Sequence, residues 1–145
     1  MKYQTVIDPN GEELVKIYAR ERTPLVEQLE QLLQQSMQEL IGYEGPCIYS
    51  FSPADADCFV VEDGKVYALW QGKRLHVRER LYRVEQLVGE QFIRINQSCL
   101  ANVKRIERFE TSFAGALLVV FRGGHRDYVS RRQLKFVKER MGFRL

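Results

Sequence analysis

The chain has 145 residues, of which 45 % are hydrophobic and 28 % are charged, as in an ordinary single globular domain. Its longest strongly apolar stretch, residues 116–121, is far shorter than the roughly 20 residues that a membrane-spanning helix needs. Its first residues contain no apolar run of the kind that marks a secretory signal. We therefore expect a soluble, cytoplasmic protein that does not insert into a membrane.

The net charge of +3 conceals an uneven distribution along the chain. Residues 1–45 contain 4 Lys and Arg against 8 Asp and Glu, a net charge of −4. Residues 46–145 contain 18 against 11, a net charge of +7. A basic C-terminal part suits a polyanionic partner, although an ordinary solvated basic face would give the same balance. Charge alone therefore leaves a nucleic-acid partner open.

The chemistry-bearing residues do not form an enzyme motif. Cys47, Cys58 and Cys99 are far apart and odd in number, with no C-x-x-C, so we expect neither a disulfide framework nor a zinc site. The sequence lacks G-x-S-x-G, H-E-x-x-H and a P-loop, and Asp55 with Asp57 is more typical of a turn than of acid–base catalysis. Cys99 has no histidine nearby and is predicted to be a buried structural thiol. We expect no enzymatic activity, no cofactor, no metal and no small-molecule substrate.

The first 45 residues predict a small β-hairpin followed by a helix. Residues 6–7 and 14–18 are short apolar stretches on either side of four turn-forming residues, Asp8-Pro-Asn-Gly11. Thr23 is suited to cap a helix that begins at Pro24. Five leucines at helical spacing extend this helix to about residue 40, namely Leu25, Leu29, Leu32, Leu33 and Leu40. The Gly45-Pro46 pair marks the predicted boundary between an N-terminal segment, 1–45, and a C-terminal domain, 46–145.

The C-terminal part predicts about six short strands with only short helices. The strands are expected around residues 57–62, 66–71, 92–95, 103–109, 116–121 and 126–129. Asp63-Gly64 is a hairpin-turn signal between the first two strands. One helix face runs from Leu81 to Val88, and Ser130 is placed to cap a last helix. The whole chain is thus predicted to be mainly β, and α+β overall, without a helix-turn-helix.

Two polar clusters carry the side chains best suited to nucleic-acid recognition. Asn96-Gln97-Ser98 follows the strand at residues 92–95, and Asn and Gln can form paired hydrogen bonds with adenine. Ser130-Arg131-Arg132-Gln133 lies at the predicted start of the last helix, where arginine suits guanine and the helix terminus suits phosphate. Taken singly, each cluster is better explained as a turn with a cap. Asn102, a little further along the chain, can lock its turn through its side chain.

Together the two clusters carry a family pattern. The segment FIRINQSCLANVKRI resembles the signature of the LytTR DNA-binding domain, and YVSRRQLKFVKERMGF resembles that family's strand, S-R-R and closing helix. VEDGKVYALWQGKRLHVRERLYRVEQL resembles its hairpin and short helix, so the resemblance extends over about residues 52–143. It implies an elongated module of ten short strands with short helices. It also implies a transcription regulator that inserts loop residues into successive major grooves of a repeated site on double-stranded DNA.

The resemblance also implies particular DNA-contacting residues. The family's polar pair corresponds to Asn96 and Gln97, and the second arginine of S-R-R corresponds to Arg132. The residue that opens the strand after the first turn corresponds to Lys65, with Gly64 as a one-residue alternative. The family usually has His followed by Arg or Asn at the polar pair, so the resemblance does not carry over which bases are preferred here. Four flanking cations are better suited to phosphate, namely Lys104, Arg105, Arg131 and Lys135.

Only about 45 residues precede this module, too few for the receiver domain that many family members carry, so a stand-alone form is expected. The five leucines of the predicted N-terminal helix form an apolar face that must be buried, either against the module of the same chain or against a second copy of the chain. Of these two, we expect the second, a homodimer held mainly by residues 1–45. The alternative class is a β-rich protein-interaction module without DNA binding. An RNA-binding module would need exposed aromatic pairs that the sequence lacks.

Overall fold

The computed structural model describes residues 1–12, 14–37, 39–112 and 114–144. Within them the chain forms three α-helices, Pro24–Met37 (α1), Leu81–Val88 (α2) and Arg131–Met141 (α3). Their ten strands are Leu40–Glu44 (β1), Cys47–Phe51 (β2), Cys58–Glu62 (β3), Lys65–Trp70 (β4), Lys73–Val77 (β5), Phe92–Asn96 (β6), Cys99–Asn102 (β7), Ile106–Thr111 (β8), Leu117–Phe121 (β9) and Arg126–Val129 (β10). The mainly-β class predicted from the sequence is confirmed.

The strands form two antiparallel sheets. The first sheet has seven strands in the order β2-β1-β5-β4-β3-β7-β6, and the second has three in the order β10-β9-β8. The predicted Asp63-Gly64 turn joins β3 to β4, and both residues have positive φ angles, 51° and 75°. Two consecutive positive φ angles define a type I′ turn, whose twist matches the strands that it joins.

The first sheet is covered on both faces. Phe59 lies in one core with Val84 of α2, whereas its neighbour Val60 lies in another core with Val119 of the second sheet and Val137 of α3. Because successive residues of a strand point to opposite faces, α2 lies on one side and the second sheet with α3 on the other. The result is a three-layer arrangement with the seven-stranded sheet in the middle.

The predicted N-terminal hairpin is not formed. Residues 6–12 and 14–18 have no strand assignment, and most of their side chains are exposed. A two-stranded hairpin without a covered face has little stability of its own, which explains why these residues remain irregular. Thr23 does cap α1, since its Oγ1 accepts a hydrogen bond from the Val26 amide at 3.3 Å.

The end of the N-terminal helix was also predicted too far along the chain. The α1 helix ends at Met37, Gln38 lies outside the described residues, and Leu40 is a buried residue of β1. β1 pairs with β2 through a turn at Gly45, so the Gly45-Pro46 pair joins two strands of the first sheet. The division into two functional parts at residue 45 stays a prediction, but β1 belongs to the sheet.

The count of about six strands after Pro46 was too low, because the described residues there form nine. Sequence patterning missed β2, β5 as a full strand, and β7. It also placed a strand at 103–109, where a 3₁₀ turn, Val103–Arg105, precedes β8. Strands of four or five residues have too few side chains to show an alternating pattern.

Candidate nucleic-acid interface

Two hairpin turns lie side by side at one end of the first sheet. β3 pairs with β7, with Val60 opposite Cys99, and the Val61 amide donates a hydrogen bond to the Ser98 carbonyl at 2.8 Å. The Gln97-Ser98 turn therefore lies beside the Asp63-Gly64 turn. Lys65 follows the second turn on β4, two strand spacings or about 10 Å from the first. We call this end of the sheet the turn end.

Both covering helices begin at the turn end. β5 ends beside the start of β4, with Val77 opposite Val66, and α2 begins four residues later at Leu81. On the other face, the Ser130 amide donates to the Ile95 carbonyl at 2.8 Å, which places the start of α3 beside the end of β6. Ser130 is the residue before α3, as predicted, but its side chain makes no capping hydrogen bond.

The Asn96 side chain is a clamp for the turn and not an exposed group. It is 2 % exposed, and its Nδ2 donates to Asp127 Oδ1 at 2.9 Å and to the Tyr128 carbonyl at 2.8 Å. Its Oδ1 accepts a hydrogen bond from the Ser98 amide at 2.8 Å. The amide expected to contact bases is thus fully engaged with β10 and with its own turn.

Gln97, the other half of the polar pair, is exposed at the tip of the turn. Its main-chain carbonyl accepts a hydrogen bond from Arg94 Nη1 at 2.9 Å, and Arg94 Nε is held by Glu85 Oε2 at 3.0 Å. A side chain that projects from a turn fixed on both sides is preorganised for contact with a ligand. Arg94 was not predicted as a positioning residue, although it stands inside the quoted family motif.

The Asn96 side chain is held by the carboxylate of Asp127, a residue that the sequence analysis did not single out. Burial acts to raise the pKa of Asp127, but the polar groups around the carboxylate, namely His125, the Tyr128 amide, Cys99 and Asn96, outweigh it and hold the pKa below its usual range. The His125 Nε2 lies 3.7 Å from Asp127 Oδ2, which is an electrostatic contact longer than a hydrogen bond. Asp127 therefore stays ionised and anchors Asn96.

The start of α3 presents cations at the turn end. Arg131 and Arg132 are exposed in the first turn of the helix, and Lys135 is exposed one turn later. Lys65 is exposed at the start of β4, at the same end of the first sheet. Within the described residues none of these four side chains forms an ion pair. Their charges are thus not neutralised by a carboxylate within the described residues.

Lys104 and Arg105 lie at the opposite end of β7. The four residues of β7 span roughly 13 Å between them and the turn end. Arg105 Nε donates to Asp57 Oδ1 at 2.9 Å, and Asp57 Oδ2 accepts from the Gly123 amide at 3.1 Å. Asp57 is 7 % exposed, so this ion pair joins the start of β3 to the second sheet. Arg105 is thus engaged in the fold, whereas Lys104 is exposed.

Two further expectations about structural residues are confirmed. Asn102 is fully buried, and its Oδ1 accepts from the Lys104 amide at 3.1 Å while its Nδ2 donates to the carbonyls of Ala54 and Ala56. The side chain thus locks the turn that follows β7. Cys99 is also fully buried, and hydrogen bonding with Cys58 together with burial raises the pKa of its thiol well above the ordinary range.

Comparison with known proteins defines the class. The LytTr DNA-binding domain family model matches residues 47–142, and the chain belongs to this family. Two curated relatives are uncharacterized HTH-type transcriptional regulators of Staphylococcus aureus, strains NCTC 8325 and COL. Each is 31 % identical over 102 residues, which is 70 % of this chain and 69 % of the relative.

The fold comparison agrees with the family match. A LytTr DNA-binding domain from Bacillus cereus superposes with a TM-score of 0.67 at 19 % identity, covering 72 % of this chain and 97 % of that one. In this chain α2 and α3 are separated by five strands, so the described residues contain no helix-turn-helix of adjacent helices. Among the residues that the structure describes, no helix is long and apolar enough to cross a membrane.

Proposed function

We propose that this protein is a sequence-specific transcription regulator that reads double-stranded DNA with the turn end of its first sheet. Gln97 enters the major groove and contacts base edges, as do Lys65 and Arg132 from the two neighbouring segments. Asn96 positions the turn and makes no base contact. Arg131 and Lys135 contact phosphates, as assigned from the sequence, whereas Arg105 holds the fold.

The observation that carries this proposal is the convergence of three segments that are distant in sequence. Residues 65, 97 and 131–132 lie at the same end of the molecule, although more than 60 residues separate the first from the last. The Gln97-Ser98 turn is narrow, because β6 and β7 are adjacent strands roughly 5 Å apart. A major groove about 12 Å wide admits a two-stranded ribbon of this kind.

Selection of bound duplexes from a random pool by the full chain tests the proposal. We expect enrichment of one motif that occurs twice at a spacing near the DNA helical repeat, since the family resemblance implies a repeated site. Gln97→Ala and Arg132→Ala should each lose preference at particular base pairs, because these side chains are exposed and contact base edges. The control is Arg108→Ala, which alters an exposed arginine of β8 outside the turn end. A pool that shows no enrichment would contradict sequence-specific binding.

We also propose that the protein is a homodimer held by its N-terminal segment. Leu25 and Leu32 of α1 remain 46 % and 60 % exposed. Several large apolar residues before α1 are more than half exposed, among them Tyr3, Val6, Ile7, Leu14, Val15 and Tyr18. An apolar surface of this kind is uncommon on a monomer. Dimerisation would cover it and would place two modules on a repeated site.

The α1 helix also lies beside the C-terminal part of its own chain. The alternative to a dimer is therefore a monomer in which this part of the chain covers the leucines of α1. Leu32 and Leu33 line a cavity of about 370 Å³ together with Pro53, Val88 and Phe92. Sedimentation of the full chain at micromolar concentration should give a dimer, and the Leu25→Glu, Leu32→Glu double variant should give a monomer. Tyr82→Ser, at an exposed apolar residue of α2, is the matched control. A wild-type chain that sediments as a monomer would rule out the dimer.

A further inference from the structure

The arginines of this chain fall into two groups according to their partners. Several are neutralised by a carboxylate within the protein, namely Arg22, Arg74, Arg94, Arg105, Arg108 and Arg126. Three others, Arg78, Arg80 and Arg83, have no ion pair within the described residues. These three lie within six residues of each other around the start of α2. An exposed cation without a carboxylate partner in the protein is available for an external anion.

These three arginines and Lys65 line one groove. The groove has a volume of about 600 Å³ and is bounded by the β3–β4 turn, the end of β5 and the first turn of α2. Its four cations are opposed by one carboxylate, Glu79. The Arg78 guanidinium carbon lies 4.0 Å from the centre of the Tyr43 ring, a stacked contact that limits the motion of this side chain.

The position of the groove relates it to the proposed reading surface. It lies at the turn end beside β4 and β5, whereas the start of α3, which carries Arg131 and Lys135, lies beside the end of β6. β4 and β6 are three strand spacings apart in the first sheet, roughly 15 Å. Cations at these two positions would therefore flank a major groove about 12 Å wide that receives the Gln97 turn.

We propose that the groove formed by Lys65, Arg78, Arg80 and Arg83 binds backbone phosphates of duplex DNA. The contacted strand borders the major groove on the side opposite to the strand contacted by α3. This inference rests on the proposed function for its orientation, and it assigns the segment around the start of α2 a phosphate-binding role that the sequence motifs did not indicate. Arg80 and Arg83 supply guanidinium groups that match phosphate oxygens in a bidentate geometry.

The test is the salt dependence of binding by the full chain to a random-sequence duplex. Neutralised phosphates release counterions, so the logarithmic slope of affinity against salt falls by about 0.9 for each phosphate that the protein no longer neutralises. Arg80→Gln and Arg83→Gln should each reduce the slope by about this amount, and the double variant by about twice as much. The Arg80→Lys, Arg83→Lys double variant should retain the slope, because the charges remain.

Lys73→Gln is the matched control, since it removes one cation from β5 at the opposite end of the same sheet. It should leave the slope unchanged. Circular dichroism and thermal unfolding should show that all variants are folded, because none of the substituted side chains is buried. An unchanged slope in folded Arg80→Gln, Arg83→Gln protein would overturn the phosphate-binding groove.

The two proposals fail separately. If the α2 variants keep the wild-type slope while Gln97→Ala still loses base preference, the groove is wrong and the reading surface remains. If the α2 variants lower the slope while no selected motif depends on Gln97, the groove binds phosphate and the orientation of the reading surface is wrong.

Discussion

Asn96 and Gln97 are adjacent in sequence, but the structure assigns them opposite roles, and alanine substitution separates these roles. Asn96→Ala removes three hydrogen bonds of a side chain that is 2 % exposed. At about 1 kcal/mol for each bond, and with Ser98 and Tyr128 exposed enough for water to replace part of the loss, the free energy of unfolding should fall by about 2–3 kcal/mol. For a chain of this length that loss lowers Tm by roughly 4–12 °C.

Gln97→Ala should have the reverse profile. The Gln97 side chain is exposed, so its removal should change the free energy of unfolding by less than about 0.5 kcal/mol. Its loss from a base contact should cost about 1–3 kcal/mol of binding to a selected site, a factor of roughly 5 to 150. Urea unfolding followed by circular dichroism, with affinity measured well below the midpoint, gives both quantities. An Asn96→Ala variant as stable as wild type would refute the clamp.

Three other features of the structure can be tested by single substitutions. Asp57 is 7 % exposed, and in Arg105→Gln its carboxylate would keep the hydrogen bond from the Gly123 amide but lose its cationic partner. Urea unfolding should therefore show that the free energy of unfolding falls by about 1–3 kcal/mol. The folded-state pKa of Asp127 is lowered, so its contribution to stability is present above the unfolded value of about 3.9 and is lost as pH falls through the folded value. The Tm below about pH 4 should therefore fall more steeply for wild type than for Asp127→Asn, and equal steepness would contradict the pKa shift. Lys135→Gln should lower the salt slope of DNA binding by about 0.9, whereas Lys104→Gln, at the far end of β7, should not.

The sequence predicted the local features that depend on neighbouring residues. The Asp63-Gly64 turn, the α2 helix and the start of α3 all appear where the pattern placed them, because turn residues and helical spacing are local signals. The prediction of the N-terminal hairpin was wrong because it also rested on local signals alone. Its two apolar stretches and turn suit a hairpin, but no described residues pack over them, and a local pattern cannot predict such packing.

The residues of the polar pair show a second limit. Asn96 and Gln97 are both polar and both lie at the end of β6, so their types predict the same role for each. The burial of Asn96 depends on Asp127 and Tyr128, which are more than 30 residues away and approach only when β10 lies against the end of β6. Side-chain roles that are set by long-range packing leave no trace in a short motif.

The separation of Lys104 and Arg105 from the other predicted cations has the same origin. They follow the polar pair closely in sequence, yet β7 carries the chain away from the turn end before they occur. Proximity along the chain therefore overstated their proximity to Gln97. The role of Arg105 in the fold depends on Asp57, a residue 48 positions away along the chain that precedes β3.

Directed cleavage of bound DNA tests the central claim, that the turn end enters the major groove. Cys47 is exposed and Cys58 and Cys99 are buried, so a Cys47→Ser background leaves no exposed thiol among the described cysteines. An iron chelate attached through Gln97→Cys should cut a selected duplex at a few adjacent nucleotides within the site. The same chelate attached through Lys73→Cys, at the other end of the sheet, should cut none. Cleavage from residue 73 without cleavage from residue 97 would contradict insertion of the turn end.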